Sequence, residues 1–258
     1  MVRALIYIVL FYIVSTLFLV LGSWLLFAPR SWAMAGLAAH GRTCVWLLDK
    51  TVGTGLEVRG HDKIPDGPVL IASKHQSAWD TFALVSLLHD PAIIMKRELM
   101  WVPLYGWFSA KFGMIFVRRE AGASALRQMA RDAADRAAAG RHILIFPEGT
   151  RREPGAPAAY RPGAVYLYDR LGIPCCPVAL NSGLYWPRRS LRRFPGKIIV
   201  EFLEPIEAGL PRKVFSQRLE EAIETGSDAL IVEAARTPPP PPIPPQAADR
   251  LGLNSVEK

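Results

Sequence analysis

The chain has 258 residues, room for one medium-sized domain with appendages, and half of them are apolar. A formal charge of +8 favours anionic partners: a membrane surface, nucleic acid or a phosphorylated substrate. The three cysteines (Cys44, Cys175, Cys176), without a C-x-x-C or an H-E-x-x-H, make neither a disulfide framework nor a metal site, and fit a reducing compartment.

The 25 residues from 4 to 28 carry no charge, with Arg3 before them and Arg30 after. That length spans a hydrocarbon core. Ala33-Met34-Ala35 resembles a signal cleavage site, but a secretory apolar region runs only about 7–15 residues, so a retained membrane helix is expected. Trp24 and Trp32 suit an interfacial aromatic belt. Residues 31–49 form a weaker segment, interrupted by His40 and Arg42, that reads as an amphipathic helix in the interface or hairpinned against the first. Arg30, Arg42 and Lys50 follow the two segments and favour a cytoplasmic side there.

From Gly55 short apolar runs alternate with helical stretches. Strands are expected near 56–59, 69–72, 92–95, 114–117, 142–146, 175–180 and 197–202. Helices are expected near 81–88, 123–139, 163–171 and 212–224, the last resuming to 235 after Thr225-Gly226. Alternation of this kind predicts an α/β domain with a largely parallel sheet, whose sites collect at the carboxyl ends of strands. The organisation expected is 1–54 membrane-anchoring helices, 55–236 the α/β domain and 237–258 a disordered tail, marked by Pro238 to Pro242 and Pro244-Pro245.

Six stretches carry candidate chemistry. In Lys74-His75-Gln76-Ser77-Ala78-Trp79-Asp80 a histidine sits where a strand gives way to a helix, five residues before a carboxylate. Asp80 could hold one imidazole nitrogen and free the other as a general base; on this segment alone, a surface histidine beside an acidic helix cap is the favoured reading. Gly113-Met114-Ile115-Phe116-Val117-Arg118-Arg119 ends a strand in two arginines, either phosphate ligands or solvated cations. Phe146-Pro147-Glu148-Gly149-Thr150-Arg151 is a rigid turn after a strand that presents Glu148 and Arg151 together; a local surface ion pair there would contribute only about 0–1 kcal/mol. Arg161 precedes Pro162 at a helix start, and the run 173–181 is a proline-bracketed strand ending in Asn181; both also read as ordinary structure. The cluster Arg188, Arg189, Arg192 and Arg193, interleaved with Trp186 and Phe194, fits a lipid headgroup contact better than nucleic acid, given the membrane segment. The chain has no G-x-S-x-G elbow, no Walker loop and no G-x-G-x-x-G after a strand, so covalent hydrolase and nucleotide chemistry have no cradle.

In this order, the His75-x4-Asp80 pair, the block 113–119, the block 146–151 and the run 173–181 resemble the glycerolipid acyltransferase family, and specifically its bacterial 1-acylglycerol-3-phosphate acyltransferases, over roughly residues 55–205. The resemblance implies an α/β sheet flanked by helices, docked on the bilayer by an N-terminal membrane helix or two-helix motif. It implies that His75 is the general base on the sn-2 hydroxyl of a lysophosphatidic acid acceptor, and that Asp80 holds its orientation. Transfer would be direct from acyl-CoA or acyl carrier protein, giving phosphatidic acid with no covalent intermediate, metal or prosthetic group. Arg118, Glu148, Gly149, Thr150 and Arg151 would shape the acceptor site, and the enzyme would sit in the cell inner membrane with its catalytic domain on the cytoplasmic side. Lys74 stands where the family often has asparagine, and Arg161 where it commonly has lysine; both are candidate site residues of unsettled role. Alternatives are transfer to another lyso-lipid, such as a lyso-ornithine lipid or lysophosphatidylglycerol, or an inactive membrane-tethered lipid-binding protein.

Overall fold

The computed structural model describes residues 1–118 and 122–253. Among these, seven strands, β1 (Thr54–Arg59), β2 (Leu70–Ser73), β3 (Ala92–Lys96), β4 (Ile115–Val117), β5 (Ile143–Ile145), β6 (Cys175–Leu180) and β7 (Gly196–Phe202), form one sheet in the order β1-β7-β6-β2-β5-β3-β4. Every neighbouring pair is parallel except β6–β7. β2 and β6 are buried along their whole length, which explains why they read as unbroken apolar runs rather than alternating ones.

Successive residues of these strands feed two cores, one on each face, as the two-residue period of a strand dictates. Ile71, Leu144, Cys176 and Val178 join one core; Leu70, Ala72, Ile143, Ile145 and Cys175 join the other. The first face is covered by α2 (Arg30–Val52) and α3 (Trp79–Leu87). The second is covered by α5 (Gly122–Ala138) and α6 (Gly163–Leu171). A long helix, α8 (Arg212–Arg236), contributes Phe215, Leu219 and Ile223 to the second core and Ile231 and Ala234 to the first.

α8 does not break at Thr225-Gly226. A Cβ on Gly226 would lie 2.9 Å from the Ala179 Cβ, so this glycine lets the helix approach β6 rather than ending it. Two short helices went unread in the sequence, α4 (Tyr105–Lys111) and α7 (Ser182–Tyr185).

At the N-terminus, α1 (Val2–Leu21) has a mean hydropathy of 2.7 and is, among the described residues, the one helix long and apolar enough to cross a membrane. At a 1.5 Å rise its 20 residues measure about 30 Å. The uncharged run does not continue as one helix: a 3-10 turn (Ser23–Leu26) reverses the chain into α2, which hairpins against α1. The two are joined where Tyr7 donates to the Cys44 carbonyl at 3.3 Å and Ser15 Oγ meets His40 Nε2 at 3.0 Å. α2 buries Ala33, Met34, Gly41, Cys44, Leu48 and Val52, a stripe at helical spacing; a Cβ on Gly41 would fall 2.5 Å from the Phe82 carbonyl oxygen, so α2 crosses α3 in close contact.

Disorder is expected for residues 237–258, of which 254–258 lie outside the described residues; from 237 to 253 the proline-rich segment departs from it. Residues 245–250 form a helix, α9 (Pro245–Arg250), and Ala247 is fully buried. Gly155 receives it, since a Cβ there would come within 2.3 Å of the Ala247 Cβ, and Arg250 pairs with both Asp228 oxygens at 2.5 and 2.6 Å. The prolines hold the chain extended until Ile243 and Ala247 reach apolar surface, and proline in the first turn then starts a helix without losing a needed N–H. Ala247→Glu should therefore destabilise the protein by at least about 2 kcal/mol, because it forces a charge and extra volume against Gly155. Denaturant unfolding checks this; unchanged stability would mean that the tail is not docked.

Candidate active site

β2 ends at Ser73, and the Lys74 N–H extends its ladder by donating to the Val178 carbonyl at 2.9 Å. The next residues turn away from the sheet and α3 begins at Trp79, placing Asp80 in its first turn, fully buried. The Asp80 Oδ2 accepts from the His75 Nδ1 at 2.9 Å and from the Gln76 and Ser77 backbone N–H groups at 2.8 and 2.9 Å. Its Oδ1 accepts from Ser182 Oγ at 2.5 Å. An ionised carboxylate only accepts, so the ring carries its proton on Nδ1 and presents Nε2 as the free lone pair. The side chain of His75 is 12% exposed and stacks on Phe146, ring centroids 4.0 Å apart and 21° from parallel.

Ser182 was not singled out by sequence reasoning. Its one signal is position: a hydroxyl directly after Asn181, at the carboxyl end of β6, the strand beside β2. Gln76 reinforces the same junction by accepting from the Gly183 N–H at 3.0 Å, and Asn181 Oδ1 accepts from the Ile199 N–H at 2.8 Å. The run 173–181 thus supplies more than core.

The turn after β5 delivers Phe146 and then Glu148, which is buried. Gly149 closes it at φ 65°, donating to the Phe146 carbonyl at 2.9 Å, and the Arg152 N–H donates to the His75 carbonyl at 2.8 Å. Lys74, 2% exposed, reaches under this turn: its Nζ donates to Glu148 Oε1 at 3.0 Å and to both Glu224 oxygens at 2.7 and 2.9 Å. Tyr160 donates to Glu224 Oε1 at 2.9 Å. Glu224 and Tyr160 carried no sequence signal, because their partners lie 150 and 64 residues away. Burial raises the Glu148 carboxyl above its usual range, Lys74 opposes that rise, and Glu224 adds to it. The Glu148 Oε2 is buried without a hydrogen-bond partner, an acceptor with unused capacity.

His75, Asp80, Lys74 and Glu148 are thus brought together with Phe146. Gly149 and Thr150 form the turn itself and are half-buried, as is Arg151, whose carbonyl accepts from Arg188 at 2.8 Å. Arg118 is exposed immediately after β4. β4 lies three strands from β2, which at about 4.8 Å per strand puts its end roughly 14 Å away. Arg119 lies outside the described residues. Arg161 is exposed; its N–H donates to the Pro147 carbonyl at 2.9 Å, so its backbone braces the turn. Of the four clustered arginines, Arg193 is drawn inward over the Trp186 ring at 4.0 Å, and burial lowers its pKa to about 10; Arg188, Arg189 and Arg192 stay exposed.

His75 and Asp80 thus lie at the carboxyl end of a central strand, faced by a Glu-bearing turn from the neighbouring strand, with one imidazole nitrogen held by a buried carboxylate. The chain belongs to the acyltransferase family, whose model matches residues 55–181, the span that holds His75, Asp80, Glu148 and Arg151. It is 38% identical over 159 residues to the 1-acyl-sn-glycerol-3-phosphate acyltransferase of Pseudomonas aeruginosa, covering 62% of each chain. It is 32% identical over 158 residues to the alpha enzyme of the same name from Mus musculus, covering 60% of this chain and 55% of that one. With the lyso-ornithine lipid O-acyltransferase of Pseudomonas aeruginosa it shares 30% identity over 197 residues, 69% of this chain and 75% of the relative. The match therefore spans about three fifths of the length of the first two relatives. In fold it is similar to the crystal structure of the 1-acyl-sn-glycerophosphate (LPA) acyltransferase of Thermotoga maritima, with a TM-score of 0.76 at 22% identity, covering 89% of this chain and 96% of that one.

Lys74→Met should cost about 3–5 kcal/mol in denaturant unfolding, since it leaves two carboxylates facing each other around a buried void of charge. Adding Glu148→Gln should restore part of that loss. Strictly additive losses would mean that Lys74 and Glu148 are not coupled.

Proposed function

We propose that this chain transfers an acyl group from a soluble acyl thioester to the sn-2 hydroxyl of 1-acylglycerol-3-phosphate, giving phosphatidic acid. The observation that carries the reading is the 2.9 Å contact between His75 Nδ1 and a fully buried Asp80, which leaves Nε2 free beside the Glu148 turn. His75 Nε2 takes the hydroxyl proton as the acceptor oxygen attacks the thioester carbonyl. The tetrahedral intermediate collapses, the carbon–sulfur bond breaks, and the imidazolium returns the proton to the departing thiolate. Asp80 holds the tautomer and stabilises the charge that develops on the ring. Direct transfer is supported by the fate of the hydroxyl and thiol groups nearby. Ser182 spends its proton on Asp80, and all three cysteines are buried, so none of these four stands ready as a nucleophile.

Lys74 serves as a positioning residue: it fixes Glu148, whose free Oε2 is the acceptor for a substrate hydroxyl. Arg151, on the turn one strand from His75, faces the acceptor phosphate, and Arg118 and Arg161 add positive potential further out. No metal or prosthetic group takes part. The N-terminal hairpin attaches the enzyme to the inner membrane with the site on the cytoplasmic side, supported by the apolar α1 and by Arg42 and Lys50 on α2. There an acyl carrier protein or coenzyme A thioester reaches the site from water.

A second acceptor is favoured by one observation: the lyso-ornithine lipid O-acyltransferase of Pseudomonas aeruginosa matches over a longer stretch than the 1-acyl-sn-glycerol-3-phosphate acyltransferase of the same organism, 197 residues against 159. Membranes bearing the protein, given labelled acyl-CoA and a panel of lyso-lipids, separate the two. Transfer to the lyso-phosphatidic acid acceptor is expected; transfer only to acceptors without a phosphate would overturn the preferred substrate.

His75→Ala should abolish transfer while folding and membrane association persist, and near-normal turnover in that variant would exclude the general-base mechanism. Arg151→Ala should raise the acceptor KM by about tenfold or more, the loss of one charge-assisted phosphate contact, with little effect on the donor KM. Equal effects on both substrates would move Arg151 away from the phosphate.

A further inference from the structure

Residues 97–107 link the carboxyl end of β3 to α4 and are among the most apolar parts of the exposed surface. They comprise a 3-10 turn (Arg97–Trp101), Pro103 and the start of α4. Trp101 is 79% and Trp107 61% exposed, with Met100, Val102 and Tyr105 also open to solvent. A lone exposed apolar residue is ordinary, but five within eight residues, three of them aromatic, form a patch that calls for a partner.

The segment is not a loose loop. A Cβ on Gly106 would lie 2.0 Å from the Met100 carbonyl oxygen, so the turn and α4 are packed backbone to backbone. Leu104 holds φ 60° and ψ −51°, a γ-turn in which the Tyr105 N–H donates to the Pro103 carbonyl at 2.7 Å and the chain turns into α4, and the Gly106 N–H donates to the Val102 carbonyl at 2.8 Å. A knuckle held this tightly presents its two indoles outward in a fixed arrangement.

Its neighbours identify what covers it. α4 packs against α2 and against the 3-10 turn of the N-terminal hairpin, where Phe27 is 92% exposed and Trp24 and Trp32 are also open. The exposed aromatic surface of the hairpin therefore continues onto the knuckle. The mixture is of the kind found at membrane interfaces, where indole and phenol rings sit at headgroup level, rather than the leucine and isoleucine of a protein core. Lys96 and Arg97, both exposed, open the segment and suit anionic lipid headgroups. β3 runs parallel to β5, and β5 to β2, so the knuckle leaves the sheet at the same edge as His75.

We propose that residues 100–107 form a second bilayer-contacting element, seated in the headgroup and upper acyl region beside the N-terminal hairpin, with the lipid surface as its partner. This rests on the membrane attachment of the hairpin proposed above and adds a contact from within the α/β domain. Two points of attachment, one before the domain and one inside it, fix the tilt of the sheet edge against the bilayer, which a single helix leaves free to swing.

The test uses the full chain in vesicles of phosphatidylcholine and phosphatidylglycerol. The native cysteines are buried, so Trp101→Cys, Phe27→Cys and Asp66→Cys each accept an environment-sensitive fluorophore at one site. Asp66 precedes β2 and so lies at the opposite sheet edge. The label at 101 should shift to the blue, be quenched by a nitroxide carried high on the acyl chain, and be shielded from aqueous iodide. The label at 66 should show the reverse. If 101 behaves like 66 while 27 is in lipid, the proposal fails and the hairpin anchor stands. If neither 27 nor 101 meets lipid, the membrane reading itself fails and takes this one with it. Shielding at 101 without nitroxide quenching would assign the patch to a protein partner and overturn the lipid assignment. Independently, Trp101→Glu with Trp107→Glu should lower turnover of a vesicle-embedded acceptor by about tenfold, equivalent to about 1.4 kcal/mol, and leave turnover of a short-chain, water-soluble acceptor unchanged. Equal losses on both acceptors would place the tryptophans in the fold rather than on the membrane.

Discussion

One buried ammonium sets the geometry of the site. Lys74 lies in a place that water barely reaches, and an isolated charge there would cost several kcal/mol. The chain meets that cost by bringing two carboxylates from distant positions, Glu148 from the turn after β5 and Glu224 from α8. A buried ion group of this kind adds little net stability over a well-packed apolar one, but loss of any member is expensive. What it contributes is therefore position. While Lys74 holds Glu148, the turn cannot shift, and Phe146 from the same turn stays stacked on His75. The residue next to the proposed base in sequence thus fixes the base from below, through a partner from the neighbouring strand.

Asp80 is fixed by a different means. Three of its four hydrogen bonds come from residues within five positions, so the loop between β2 and α3 folds around the carboxylate almost unaided. The fourth, from Ser182, is 102 residues distant and arrives only once β6 has paired with β2. The local contacts give the histidine its orientation, and the long-range contact ties that orientation to the sheet.

The same division explains what could be read in the sequence. His75 and Asp80 belong to one strand–helix junction, and the strands and longer helices of the α/β domain show in the apolar pattern, because each is decided by residues close together. Ser182, Tyr160 and Glu224 could not be read, since their importance comes from pairings that only the folded sheet creates. α4 was missed because Tyr105-Gly106-Trp107-Phe108 has no two-faced helical pattern and contains a glycine; that glycine is needed for its contact with Met100, not for flexibility. The tail was misread because a run of prolines signals extension, and extension is what carries Ala247 to the pocket beside Gly155. Thr225-Gly226 misled in the same way, as a close helix–strand approach mistaken for a break.

The N-terminal hairpin also joins this framework, through aromatic packing. Tyr7 and Phe11 of α1 meet the edge of Trp186 with ring centroids 5.4 and 5.8 Å apart, and Phe82 of α3 lies against Phe11 at 5.5 Å. The Trp186 N–H donates to the Ser182 carbonyl at 2.8 Å, and Ser182 in turn holds Asp80. Only two residues, Trp186 and Ser182, separate the most apolar helix of the chain from the buried carboxylate. Interlocked rings of this kind resist sliding, because each offset or edge-on contact has one favoured geometry. On the proposed reading, an enzyme whose acceptor lies in the bilayer and whose donor lies in water must hold its base at a set height between them. A flexible tether would leave that height to chance, whereas an anchor packed directly on the residues that orient His75 builds it into the fold.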